Sequence, residues 1–209
     1  METVEQIKAR LEAAVPGLQL QVLVNPSPCQ QSSLLVDSKH MLEVARILRD
    51  DPQLRLDFCS SVAGVDYLDQ TLPKSIRTKV VVNGVETEME EAVAHTKPGF
   101  LEVVYHLYSM ALKQGPVIIR QRTLNRTDRL QLPSLTPLWR GCELQEREVF
   151  DLYGVVFDGH PDLRRVFMWD TFKGHPMRKD YMDPDDFEYE PTPHDEVFTR
   201  AKTHYPHRG

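Results

Sequence analysis

No stretch of this chain stays apolar for the roughly eighteen residues that a membrane-spanning helix needs. The opening METVEQIKARLEAAVPG is amphipathic, reads as a helix, and lacks the apolar core of an export signal. The 3 cysteines, Cys29, Cys59 and Cys142, stand far apart with no Cys-x-x-Cys pair. That excludes the usual local spacing for zinc or iron–sulfur ligation and a disulfide framework, and a reducing cytoplasm is the simplest compartment. Glycines are too sparse at Gly154, Gly159 and Gly174 to cradle phosphates, and there is neither Gly-x-Ser-x-Gly nor a cysteine with an oriented histidine partner. Positive charge is also short. A net charge of −6 argues against non-specific nucleic-acid binding, which needs a basic footprint.

What is present suits one domain with an extension: 209 residues, 41% hydrophobic, with 15 prolines that mark extended segments. Thr3 caps a first helix with Gln6 in the capping-box position, and Pro16-Gly17 ends it. Strands are expected over Leu18–Val24 and Ser33–Val36, then a helix beginning near Ser38 and stopped at Asp50-Asp51-Pro52. A further strand runs from Leu54 to Val62, into Gly64-Val65-Asp66-Tyr67. Asn83-Gly84 between apolar residues signals a hairpin, so residues 70–98 read as an inserted β-ribbon. Phe100–Tyr108 has apolar residues at both parities, a strand with both faces covered. Gly115-Pro116 is expected to turn the chain so that Val117–Leu124 returns antiparallel. This inventory predicts an α+β fold: a mixed, mostly antiparallel sheet, helices on one face, and an extended C-terminal tail.

The chemistry concentrates between Ser134 and Tyr181. With Ser134 as N-cap and Gly154 as stop, a helix gathers Leu135, Leu138, Trp139, Cys142, Val149, Phe150 and Tyr153 on one side, with Glu146 near its middle. Arg140, Arg147, Glu148 and Asp151 project elsewhere. A buried carboxylate needs donors or a cation, and Arg164, Arg165, Arg178 and Lys179 lie downstream. Two roles fit: a proton-active or catalytic Glu146, or a structural ion pair fixing how the helix docks. His160 and His175 each sit in Gly-His-Pro followed by a basic pair, a weak metal pattern that suggests instead rigid turns presenting a histidine and two cations outward. The acidic, proline-rich stretch after Tyr181 has no helical or strand period, and it reads either as a free tail or as a segment laid along another protein.

Glu146-Arg147-Glu148-Val149-Phe150-Asp151-Leu152-Tyr153-Gly154, followed by Phe157 and Gly159-His160-Pro161-Asp162-Leu163-Arg164-Arg165, resembles the 30 kDa-type subunit of proton-pumping NADH:quinone oxidoreductase, respiratory complex I. The resemblance continues upstream through Val65-Asp66-Tyr67, Glu102–Leu107 and Pro133–Thr136, and downstream through Gly174-His175-Pro176-Met177-Arg178-Lys179-Asp180-Tyr181. It implies a non-catalytic assembly subunit of the peripheral arm, itself without cofactor, beside partners that carry FMN and iron–sulfur clusters. The implied partners are chiefly the large quinone-site subunit and neighbouring iron–sulfur subunits, with no nucleic acid. The implied location is the cytoplasmic face of the inner (plasma) membrane, touched only through the complex.

On this resemblance the partner-binding and structural motif comprises Glu146, Arg147, Glu148, Asp151, Tyr153, Gly154, His160, Pro161, Leu163, Arg164, Arg165, His175, Pro176, Arg178, Lys179, Asp180 and Tyr181. The expected division is an α+β domain over 1–157 and a partner-wrapping segment over 158–209. An equivalent subunit of a ferredoxin-, deazaflavin- or hydrogenase-type membrane complex is the alternative, and a free-standing enzyme using Glu146 and His160 is a third reading. Trp139–Gln145 departs from the family's commoner wording, the ribbon is longer than expected, and the end at Gly209 suits the unfused form.

Overall fold

In the computed structural model, residues 2–182 are described apart from 83 and 84, with backbone alone for 72–82 and 85–95. Two compact units divide the chain, Met1–Lys179 and Asp180–Gly209, so residues 158–179 fall within the first unit. Asn83-Gly84 and the tail from residue 183 lie outside the described residues.

Helix α1 (Val4–Ala14) starts on the expected capping box: the Gln6 N–H donates to Thr3 Oγ1 at 3.3 Å and the Thr3 N–H to Gln6 Oε1 at 2.9 Å. Its buried residues are Ile7 and Leu11. Helix α2 (Met41–Asp50) begins after a turn over residues 38–40 and buries Met41, Val44, Ala45 and Leu48. The strands are β1 (Gln21–Val24), β2 (Ser32–Leu35), β3 (Phe58–Tyr67), β4 (Gln70–Val82), β5 (Val85–Lys97), β6 (Phe100–Ser109) and β7 (Gln114–Arg122). Two short strands follow, β8 (Gln131–Pro133) and β9 (Val156–Asp158), flanking helix α3 (Cys142–Tyr153).

Five strands form one sheet in the order β1-β2-β7-β6-β3, with β2–β7 parallel and the other neighbours antiparallel. The expected mostly antiparallel α+β architecture is therefore present. The ribbon β4–β5 is a separate antiparallel pair, and β8 pairs with β9 in parallel.

Several expected boundaries move. Leu54 and Leu56 are buried in a loop rather than a strand, and β3 instead runs on through Gly64 to Tyr67. The β6–β7 chain reversal falls at residues 110–113, and Gly115-Pro116 lies inside β7 as a cis peptide.

Strand β6 is the middle of the core. Leu101, Val103, Tyr105 and Leu107 share one face and pack with Leu34, Ile119 and the buried residues of all three helices. The alternate residues Glu102 and Val104 are buried too, while His106 and Tyr108 are half-buried, so the opposite face of this strand is covered only in part.

Candidate functional site

The described fold brings most of the Ser134–Tyr181 motif together around α3. The helix is shorter than its apolar spacing suggested: it begins at Cys142 behind Gly141, and residues 135–142 make successive turns. Ser134 is not its N-cap. Instead the Ser134 hydroxyl donates to Glu146 Oε2 at 2.5 Å, from the end of β8.

Glu146 is fully buried, as the wheel predicted, but among the described residues no cation meets it. Its carboxylate accepts from four neutral donors: the Ser134 hydroxyl, the Thr136 hydroxyl at 3.1 Å, the Leu135 N–H at 2.8 Å and the Tyr105 phenol at 3.1 Å. The Gln121 amide donates to the same phenol oxygen at 2.9 Å. One carboxylate thus ties α3 to β6, β7 and the turn after β8. Burial pushes its pKa above the usual glutamate value, with the four hydrogen bonds pulling the other way. The same burial and the Glu146 charge push the Tyr105 phenol far up. The buried Cys59 thiol donates to the Ser61 carbonyl at 3.7 Å.

The carboxylate that does meet an arginine is Asp151, which the wheel had pointed away from the core. It is fully buried because residues 158–179 fold back over that side of α3. Arg165 Nη1 donates to Asp151 Oδ1 at 2.8 Å. The N–H groups of Val166, Phe167 and Met168 converge on Oδ2 at 3.0, 2.8 and 2.9 Å. Burial raises the Asp151 pKa, but those three N–H groups and Arg165 outweigh it and hold the value below the ordinary range.

Both Gly-His-Pro turns aim their histidines inward, against the expectation that they project them, and of each basic pair one cation, Arg165 or Arg178, also turns inward while Arg164 and Lys179 are exposed. The Asp162 N–H donates to His160 Nδ1 at 3.1 Å, which leaves Nε2–H to donate to the Glu143 carbonyl at 2.9 Å. His175 Nδ1 pairs with the Asp151 carbonyl at 2.9 Å, and burial lowers its pKa, assisted by Arg178 and Arg165. Arg178 Nε donates to the Tyr153 carbonyl at 2.7 Å, and the Met177 N–H to the Leu152 carbonyl at 3.1 Å. The last carbonyls of a helix have no partner within it and carry its negative dipole end, so these donors and cations suit them chemically.

Gly154 makes the close approach possible, at φ +80°, with a hypothetical Cβ falling onto His175 and Arg178. Downstream, Asp66 takes a bidentate pair from Arg126, 2.7 Å at each oxygen, together with the Lys179 N–H at 2.9 Å.

The remaining motif residues divide by exposure. Arg147 is inward, donating to the Arg164 and Arg165 carbonyls at 3.1 and 3.3 Å, while Glu148, Leu163 and Pro176 are half-buried and Pro161 is exposed. Tyr153 packs its ring on Gly64, where a Cβ would stand 2.5 Å from Cδ2. Arg164 is 70% exposed and paired with Asp162, and the Lys179 side chain is exposed. Asp180 and Tyr181 belong to the second unit.

The braced segment leaves Phe167 56%, Trp169 41% and Met177 54% exposed. None of these three apolar residues figured among the expected site residues, nor did Tyr105, Gln121, Ser134, Thr136, Asp66 or Arg126. Val65–Tyr67, Glu102–Leu107 and Pro133–Thr136 lie within the family resemblance, which was the one available pointer to Asp66, Tyr105, Ser134 and Thr136. Among the described residues no cluster of histidine, cysteine and carboxylate side chains could hold a metal ion, and no helix is long and apolar enough to cross a membrane.

Fold and site together define an α+β protein that anchors an aromatic-bearing surface segment, backbone first, onto its third helix. The chain belongs to the family described as respiratory-chain NADH dehydrogenase, 30 Kd subunit, which it matches over residues 34–186. It is 39% identical over 146 residues to the NADH-quinone oxidoreductase subunit designated C in Saccharopolyspora erythraea, covering 70% of this chain and 47% of that one. With the Coxiella burnetii subunit of the same designation the identity is 35% over 182 residues, covering 85% and 74%. The chain thus spans about half the length of the first relative and about three quarters of the second. A chain of the membrane-bound sulfane sulfur reductase, an archaeal respiratory membrane complex, shares the fold at TM-score 0.56 and 18% identity, covering 98% of this chain and 92% of that one.

Proposed function

We propose that this chain is a peripheral-arm subunit of an NADH:quinone oxidoreductase, supporting its partners during electron transfer from NADH to quinone without performing a chemical step itself. Family membership sets the class, and the observation that carries the role is the braced segment: Asp151 and the α3 carbonyls fix residues 165–178 while Phe167, Trp169 and Met177 stay exposed. Exposed aromatics and methionine on a rigid backbone are characteristic anchors of protein interfaces. The hydrogen bonds of Glu146 and His160 are all used within the fold, which favours scaffolding over turnover. FMN and iron–sulfur clusters then reside in partner subunits, chiefly around the large quinone-site subunit, and the membrane is reached only through them.

The equivalent subunit of a ferredoxin-, deazaflavin- or hydrogenase-type complex is the second reading, favoured by the fold shared with the archaeal membrane complex. Native isolation of the tagged chain followed by mass spectrometry separates the two. Flavin- and NADH-binding companions support the first, and a nickel-binding large subunit the second. Phe167→Asp with Trp169→Ala is expected to cut the assembled fraction about tenfold or more while the melting temperature of the isolated chain stays unchanged. Wild-type assembly in that variant removes the docking role of the segment.

A further inference from the structure

The sheet face opposite α1, α2 and α3 holds a second feature. Register places Ala63 beside Val104, Val65 beside Glu102, Arg120 beside Val104 and Arg122 beside Glu102, all on this face. A trough of about 500 Å³ runs across it, lined by β1, β3, β6, β7 and the loop after β1, and by no helix residue. Its floor is apolar at Ala63, Val65, Val104 and Ile118.

The polar groups there are unbalanced. Glu102 is completely buried and uses both oxygens, one on Arg120 Nη1 and one on Arg122 Nε, each at 2.6 Å. Two arginines against one carboxylate leave a positive surplus, in a chain whose net charge is −6. Arg120 Nε is shut off from solvent yet makes no hydrogen bond among the described residues, and the same holds for His106 Nδ1 on the same trough. A buried donor left unpaired is unfavourable, and neither atom offsets the charge of the arginines.

We propose that this face is a second docking surface, taking an extended acidic segment of a neighbouring protein with a carboxylate seated at Arg120 beside His106. The carboxylate meets the surplus charge of Arg120 and Arg122 while the flanking side chains of the segment cover the valines and Ile118. A second copy of this chain is disfavoured, since the same face would oppose two cationic surfaces. The surplus is also too small for nucleic acid or an anionic membrane, which need a dense basic patch.

The proposal rests on the reading of this chain as a subunit of a larger complex. Its test uses Ala63, exposed at the trough, so that charge is added without disturbing the core. The full-length tagged chain carrying Ala63→Glu or Ala63→Lys replaces the native copy, and native gels of membranes report the assembled fraction. Ala63→Glu is expected to assemble about tenfold less than Ala63→Lys, because equal bulk carries opposite charge. Equal assembly of the two variants, whether both normal or both impaired, overturns the acidic occupant. Failure of the wild-type chain to enter any complex overturns the subunit reading and this proposal with it, whereas wild-type assembly with indifferent Ala63 variants sinks the proposal alone.

Discussion

Two buried carboxylates five residues apart on α3 are stabilised by different means, and their pH responses should oppose each other. Glu146 is held by neutral donors and its folded pKa is raised, so its contribution is full below the ordinary glutamate value of about 4.3 and is lost as pH rises through the folded pKa. Asp151 has a depressed folded pKa. Its contribution is present above the ordinary aspartate value of about 3.9 and is lost as pH falls through the folded pKa. Urea unfolding at stepped pH checks both. Glu146→Gln should remove the loss on the alkaline side, since its amide oxygen keeps the Leu135 N–H and the two hydroxyls can rotate to accept from its NH₂. Glu146→Ala strands several buried donors and should cost about 3 kcal/mol or more. Asp151→Asn should flatten the acid side and cost about 2–4 kcal/mol, because Arg165 loses its partner. Identical pH slopes for wild type and both amide variants would contradict these assignments.

At the scale of elements, α3 is stabilised by tertiary donors at its ends more than by its own sequence. Gly141 supplies no side-chain cap, while His175, Arg178 and the Met177 N–H take the last carbonyls. The helix also protects the open edge of the sheet, since Gln145 Oε1 accepts from the Val62 N–H of β3 at 2.6 Å and Tyr153 lies on Gly64. Gly154→Ala would combine a left-handed backbone with a clash against His175 and Arg178. A loss of about 1–3 kcal/mol is expected, with faster amide exchange concentrated at 174–178. Uniform exchange across the chain would place the strain elsewhere.

For the whole molecule, the ribbon is the part that the first unit can do without. β4 and β5 pair only with each other, and their base is fixed independently by the Tyr67–Phe100 stack at 4.8 Å and by the Gly99 N–H donating to Asp69 Oδ1 at 2.6 Å. Replacing residues 71–96 with a short glycine-containing turn should shift the melting temperature by no more than about 4 °C, a change of roughly 1 kcal/mol for a domain of this size. A larger fall would show that the ribbon packs on the main sheet. Loss of assembly with unchanged melting would mark it as a contact for partners.

The sequence by itself determined what depends on short spacing. The capping box of α1, the buried core face of β6, the ribbon strands and the burial of Glu146 all follow from neighbours within a turn, a hairpin or a strand period. The family was legible from the Glu146–Arg165 motif for the same reason, since it is a contiguous run of residue types. Tertiary structure decided the rest. The parallel β2–β7 pairing joins segments far apart in the chain, and no local period encodes it. The turns over 135–142 share the spacing of a helix, but their backbone bonds close mostly three residues back, so the regular helical ladder starts only at Cys142. Asp151 is polar on any wheel and becomes buried only because residues 158–179 return over it. Which carboxylate receives the arginine, and which receives hydroxyls, is set by that return, because a buried charge is stabilised by whatever donors the fold carries to within hydrogen-bond reach.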